Sequence, residues 1–122
     1  MFELTAQKAR RIAEEWCEAW NRRDLDAVME HYADTVAFSS PTVVKRWGIE
    51  SGWLQGSTRL RENFTIGMQA NGLHFDLVDV VTGVGSMCII YRRETGQLVC
   101  DTVEFDDAGK AARVIACYGV KG

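Results

Sequence analysis

Apolar residues recur at steps of three and four from Thr5 to about Arg22. Ala9, Ile12, Ala13, Trp16, Cys17 and Trp20 fall on one side, with Lys8, Arg11, Glu14, Glu15 and Glu18 on the other. That spacing predicts an amphipathic helix with Thr5 as its N-cap. Asn21-Arg22-Arg23-Asp24 interrupts the period, and Asp24 is placed to cap a second, short helix from Leu25 to about Tyr32. Thr35 to Ser40 reads as a strand closed by Pro41, the sole proline. Thr42 to Gly56 shows no period and reads as irregular chain holding Trp47 and Trp53. Ser57 opens a third helix, roughly Thr58 to Ala70, which Asn71-Gly72 ends as a left-handed cap would.

Beyond this point the period changes to alternation. Leu73 to Thr82, Ser86 to Arg93, Gln97 to Phe105 and Ala111 to Tyr118 read as four strands joined by glycine-containing turns. Helices first and consecutive antiparallel strands afterwards make an α+β fold. A length of 122 residues suits one domain, residues 1–122. The strands are apolar on both faces: Val114, Ala116 and Tyr118 point one way, Ile115 and Cys117 the other. An antiparallel sheet commonly wets one face, so a homodimer through the outer face is expected.

One position breaks the alternation. In Leu98 to Phe105, Asp101 shares a face with Val99, Val103 and Phe105. An ionised carboxylate among apolar side chains is costly without a partner, and the group then tends to hold a proton. Asp101 is therefore the leading candidate for acid–base chemistry, with a structural pairing as the alternative.

Composition narrows the function classes. The chain is 47% hydrophobic and 25% charged, with a net charge of −3, and its Arg10-Arg11, Arg22-Arg23 and Arg92-Arg93 pairs are balanced by nearby acids. That distribution argues against a nucleic-acid partner. No apolar run reaches the length of a membrane span, and the first residues lack the build of a signal peptide, so a cytoplasmic location is expected. Cys17, Cys88, Cys100 and Cys117 show no metal-ligand spacing and read as structural thiols in apolar settings. Two histidines, His31 and His74, are too few for a metal site and read as surface or rim residues.

Four stretches together resemble the nuclear transport factor 2-like superfamily. They are Trp16-Cys17-Glu18-Ala19-Trp20-Asn21-Arg22-Arg23-Asp24-Leu25-Asp26, His31-Tyr32-Ala33-Asp34, Trp53-Leu54-Gln55-Gly56 with Leu60-Arg61-Glu62-Asn63-Phe64, and Asp101 through Lys110. The resemblance covers nearly the whole chain and is nearest to the SnoaL-like group, which includes polyketide cyclases and ketosteroid isomerases. It implies a cone: three N-terminal helices packed on a curved, mainly antiparallel sheet, with a pocket between them.

By the same resemblance Asp101 matches the acid that, in the isomerases, stays protonated and donates to the developing enolate. Trp16, Tyr32, Phe38, Ser40, Trp53, Val103 and Tyr118 are implied as pocket lining, with Val114 and Ala116 on the wall and Trp47 near the mouth. Two departures separate the chain from the isomerases. Trp16 stands in for their oxyanion-binding tyrosine, and an indole donates but never accepts. Ser40 stands in for their general-base aspartate, and a neutral hydroxyl does not take a proton from carbon unaided. The resemblance thus implies an acid/base enzyme of cyclase, isomerase or aldol type on a small hydrophobic, carbonyl-bearing or polycyclic ligand, outside standard steroid isomerisation. A non-catalytic ligand-binding or dimeric assembly module is the alternative. No cofactor and no metal are implied.

Overall fold

In the computed structural model, which describes residues 2–120, four helices pack on one face of a six-stranded sheet. Helix α1 spans Ala6–Asn21, and Thr5 caps it by accepting from the Lys8 amide at 3.1 Å. Its apolar stripe buries Ala9, Ala13, Trp16, Cys17, Ala19 and Trp20. The helix ends in a Schellman turn: the Asp24 amide donates to the Ala19 carbonyl at 2.9 Å, and Arg23 takes the left-handed conformation at φ 56°. Asp24 then caps α2, Leu25–Met29, through the Ala27 amide.

Helix α2 is shorter than its spacing predicts. Tyr32 opens strand β1, Tyr32–Ser39, instead of closing the helix. The chain from 42 to 56 also departs from the irregular reading. Ser40 caps a third helix, α3, Pro41–Trp47, by accepting from the Thr42 amide at 3.1 Å; Pro41 fills the first turn, where no amide is needed. Gly48 ends α3 at φ 67°. Strand β2, Trp53–Gln55, follows, and then α4, Ser57–Gly67, so the helices number four and not three.

Strands β3, Phe75–Thr82, β4, Ser86–Arg93, β5, Leu98–Phe105, and β6, Ala111–Tyr118, match the alternation. The sheet runs β2-β1-β6-β5-β4-β3, with β1 parallel to β6 and the other pairs antiparallel. Register shifts in β3 and at the ends of β5 and β1 bend the sheet around α1. Asn21 ties that helix to the exposed edge: its side-chain amide donates to the Phe75 carbonyl at 3.0 Å and accepts from the Phe75 amide at 2.7 Å. This pair of bonds holds Phe75 against the rings of Trp16, Trp20 and Tyr91, whose centres lie 5.5, 5.1 and 4.5 Å from its own. Among the described residues, no helix is long and apolar enough to cross a membrane.

Candidate functional site

Alternation along β5 turns Val99, Asp101 and Val103 inward, and all three are buried. The neighbours of Asp101 across the ladder are Ile89 on β4 and Ala116 on β6, both apolar and buried. Asp101 is 3% exposed, and its one side-chain partner is Tyr91, whose hydroxyl donates to Oδ1 over a long 3.4 Å. Removal from water dominates over that weak bond and pushes the Asp101 carboxyl up to about 7.

Two small hollows meet at this carboxylate, and Trp16 and Asp101 line both. The first, of about 40 Å³, is walled by Trp20, Phe38, Phe75, Tyr91 and Tyr118, with Ser40, Arg46 and Arg93 toward its mouth. The second, of about 20 Å³, lies between Ile12, His31, Tyr32, Val103 and Phe105. The first has room for a few waters. The hollow as it stands is smaller than a polycyclic ligand.

Trp16, Tyr32, Phe38, Ser40, Val103 and Tyr118 all lie around these hollows with Asp101. Trp53 does not. It pairs with Ser39 on β1, which in turn faces Ile115 on β6, so its side chain is on the outer face, with the Arg113 guanidinium 4.9 Å from its ring centre. Trp47 stitches α3 to α4, its indole donating to Asn63 Oδ1 at 3.2 Å. Ser40 is buried and spends its hydroxyl on the helix cap and on Thr42 Oγ1 at 2.8 Å. Val114 is fully buried behind the wall.

The hydrogen bonding around Asp101 departs from a direct Trp16 contact. Trp16 Nε1 donates to the Tyr32 hydroxyl at 2.9 Å, leaving that hydroxyl's own proton for another acceptor. Burial, reinforced by Asp101, raises the pKa of both Tyr32 and Tyr118, which keeps them as donors at neutral pH. Trp20 Nε1 is buried and has no partner among the described residues. His31 sits at the rim of the second hollow, its pKa lowered by burial, while His74 is exposed and bonded to Asp76 at 2.9 Å. Cys17 is buried, and its thiol is pushed up to about 12 by burial and by Asp101; Cys117 is exposed on the outer face rather than in an apolar setting.

Several lining residues escaped the sequence reading. Tyr91 was within reach, since it alternates with Met87 and Ile89 on the inward face of β4. Arg46 was not, because the chain from 42 to 56 carries no clear period, and Asn63, on the predicted helix, takes its role from the α3 residues Arg46 and Trp47 that it bonds. Ser40-Pro41 at the start of α3 and Gly48 just past its end are the signal that marks it.

A profile of the SnoaL-like domain matches residues 13–122. A SnoaL-like protein of unknown function from Burkholderia thailandensis is 32% identical, over 98% of this chain and 100% of its own, with a TM-score of 0.85. A candidate polyketide cyclase from Sinorhizobium meliloti is 13% identical over 93% of this chain and 100% of its own, with a TM-score of 0.73. A candidate ketosteroid isomerase from Kribbella flavida is 16% identical over 95% of this chain and 81% of its own, with a TM-score of 0.71. At such identities the last two establish a common fold alone. A search of curated proteins found no match.

Proposed function

The chain belongs to the SnoaL-like family, and from that premise we propose that it is a small acid–base enzyme acting on a carbonyl-bearing molecule, with Asp101 moving the proton. The observation that carries this reading is a carboxylate 3% exposed, set among apolar side chains, whose one hydrogen-bond partner is a hydroxyl at 3.4 Å. A carboxyl raised to about 7 is divided between its two forms near neutral pH, which suits both taking and returning a proton. Ionised Asp101 breaks a C–H bond next to the carbonyl and gains that proton. The electron pair moves to the carbonyl oxygen, where Tyr118 or Tyr32, still protonated, donates to the enolate. Asp101 then returns the proton to carbon. The small volume limits the part of the ligand inside to a few heavy atoms.

One observation favours a second reading, a module that holds its ligand unchanged. Asp101 is the one carboxylate among the described residues lining either hollow, and Ser40, where a general base would stand, is committed to capping α3. Exchange of the α-hydrogens of 2-butanone for solvent deuterium separates the two. The enzyme reading expects protein-catalysed exchange that rises with pH through about 7 and disappears in Asp101→Asn. Exchange at the background rate in the wild-type protein leaves only the binding reading.

For the assembly, we propose that a second copy covers the outer sheet face. Support comes from Cys88, Ile90, Cys100 and Ile115, which are only partly buried there, and from Trp53 beside them. Sedimentation velocity expects a dimer that Ile115→Glu converts to monomer; a wild-type monomer contradicts it.

A further inference from the structure

Two arginines flank the mouth of the larger hollow, and they are held in different ways. Arg93 is already neutralised: its Nε and Nη2 donate to the two carboxylate oxygens of Glu94 at 3.0 and 3.1 Å, and its side chain is 17% exposed. Arg46 has no carboxylate within ion-pair distance among the described residues. It is exposed, yet it does not swing freely. Its Nη1 donates to both the backbone carbonyl and the side-chain oxygen of buried Asn63, at 3.2 and 3.1 Å, and Asn63 is fixed in turn by the Trp47 indole.

With Nη1 used up by Asn63, the Nε and Nη2 edge of Arg46 has no acceptor among the described residues. That edge is a planar two-donor fork, the geometry that matches the two oxygens of a carboxylate. The hollow behind it is lined by Trp20, whose buried Nε1 has no acceptor among the described residues. We propose that the ligand is a short oxo acid, whose carboxylate docks on the Nε and Nη2 edge of Arg46 while its carbonyl enters the hollow toward Asp101. This assignment rests on the acid–base reading for its carbonyl end and on Arg46 alone for its carboxylate end. A hollow of about 40 Å³ takes only a few heavy atoms, so the carboxylate stays at the mouth, where Arg46 stands. The fork fits carboxylate and phosphate alike, but a single guanidinium balances the charge of a monoanion and only half that of a phosphate dianion.

The test is a titration of the full chain, with ¹⁵N-labelled arginine side chains, by 4-oxopentanoate, 2-pentanone, pentanoate and inorganic phosphate. The expected result is 4-oxopentanoate binding about tenfold or more tighter than 2-pentanone, as a charge-assisted fork implies, with a shift of the Arg46 Nε–H resonance. Arg46→Gln brings the oxo acid to the level of the ketone, and Arg93→Gln leaves the preference in place. Arg46→Lys retains charge without the fork and falls between. The ligand series on the wild-type protein needs no variant to fold. Equal binding of acid and ketone, a preference that survives Arg46→Gln, phosphate displacing 4-oxopentanoate at equal concentration, or no saturable shift up to about 10 mM would each overturn the proposal. Comparison with pentanoate isolates the other end. If 4-oxopentanoate and pentanoate bind alike while the Arg46 preference holds, the carbonyl end of the assignment fails and the carboxylate site stands, and the deuterium exchange of 2-butanone then decides the acid–base reading separately.

Discussion

Strand β5 carries two carboxylates three residues apart, one on each face of the sheet. Asp101 faces inward between Ile89 and Ala116, with a single long hydrogen bond. Glu104 faces outward, half exposed, and pairs with Arg113 directly across the ladder at 3.2 Å. The outer acid is hydrated and has a cation; the inner acid has neither. Chemistry of the same kind therefore has opposite consequences on the two faces, because desolvation outweighs a weak hydrogen bond while water screens an exposed pair.

The largest expected effect comes from neutralising the inner acid. Its folded-state pKa, about 7, lies above the ordinary value of 3.8. Below about pH 3 the group is largely protonated whether the chain is folded or not, and it costs almost nothing. As pH rises from there to about 7 the unfolded chain ionises first, so stability falls, by roughly 4 kcal/mol in all. Asp101→Asn, which keeps an acceptor for Tyr91, is expected to recover most of that at pH 8.5 and almost nothing at pH 3. Urea unfolding at the two pH values measures it. Equal effects at both would contradict the contrast between the faces.

Asn63→Ala comes next. It removes the side-chain acceptor shared by Arg46 and Trp47, leaving Arg46 the Asn63 backbone carbonyl and the indole short of a partner, an expected loss of about 1–3 kcal/mol by the same unfolding measurement. Tyr91→Phe deletes the one hydrogen bond that holds the Asp101 pKa down, so the midpoint moves further up, and about 1 kcal/mol of stability is lost above neutral pH. The smallest effect belongs to the outer pair. Arg113→Ala is expected to change stability by less than about 1 kcal/mol, and by still less in high salt. A large, salt-insensitive loss there would erase the distinction between the faces.

The same contrast explains what was legible in the sequence. Asp101 announced itself because one acid in an apolar alternation violates the period of a strand, and the inward face of β5 follows from that alone. The α1 stripe and its Thr5 cap were readable for the same reason, being local patterns with a fixed period. Trp53 was misplaced because β2 has only three residues, too few for alternation to show its face, and its partner Ser39 is set by tertiary pairing. Tyr32 keeps helical spacing with Val28 and Met29, yet it pairs with Ala111 on the sheet, so long-range pairing overrode the local period. Arg46 depended on a seven-residue helix whose polar and apolar positions are too few to stand out, although its cap and stop residues were present.

The account turns on Asp101 being a carboxyl that the fold withdraws from water. The direct measurement is the pH titration of its side-chain carbonyl ¹³C resonance in the wild-type protein, assigned by its loss in Asp101→Asn. A midpoint near 7 is the expected result. A midpoint near the ordinary aspartate value of about 4 would contradict it.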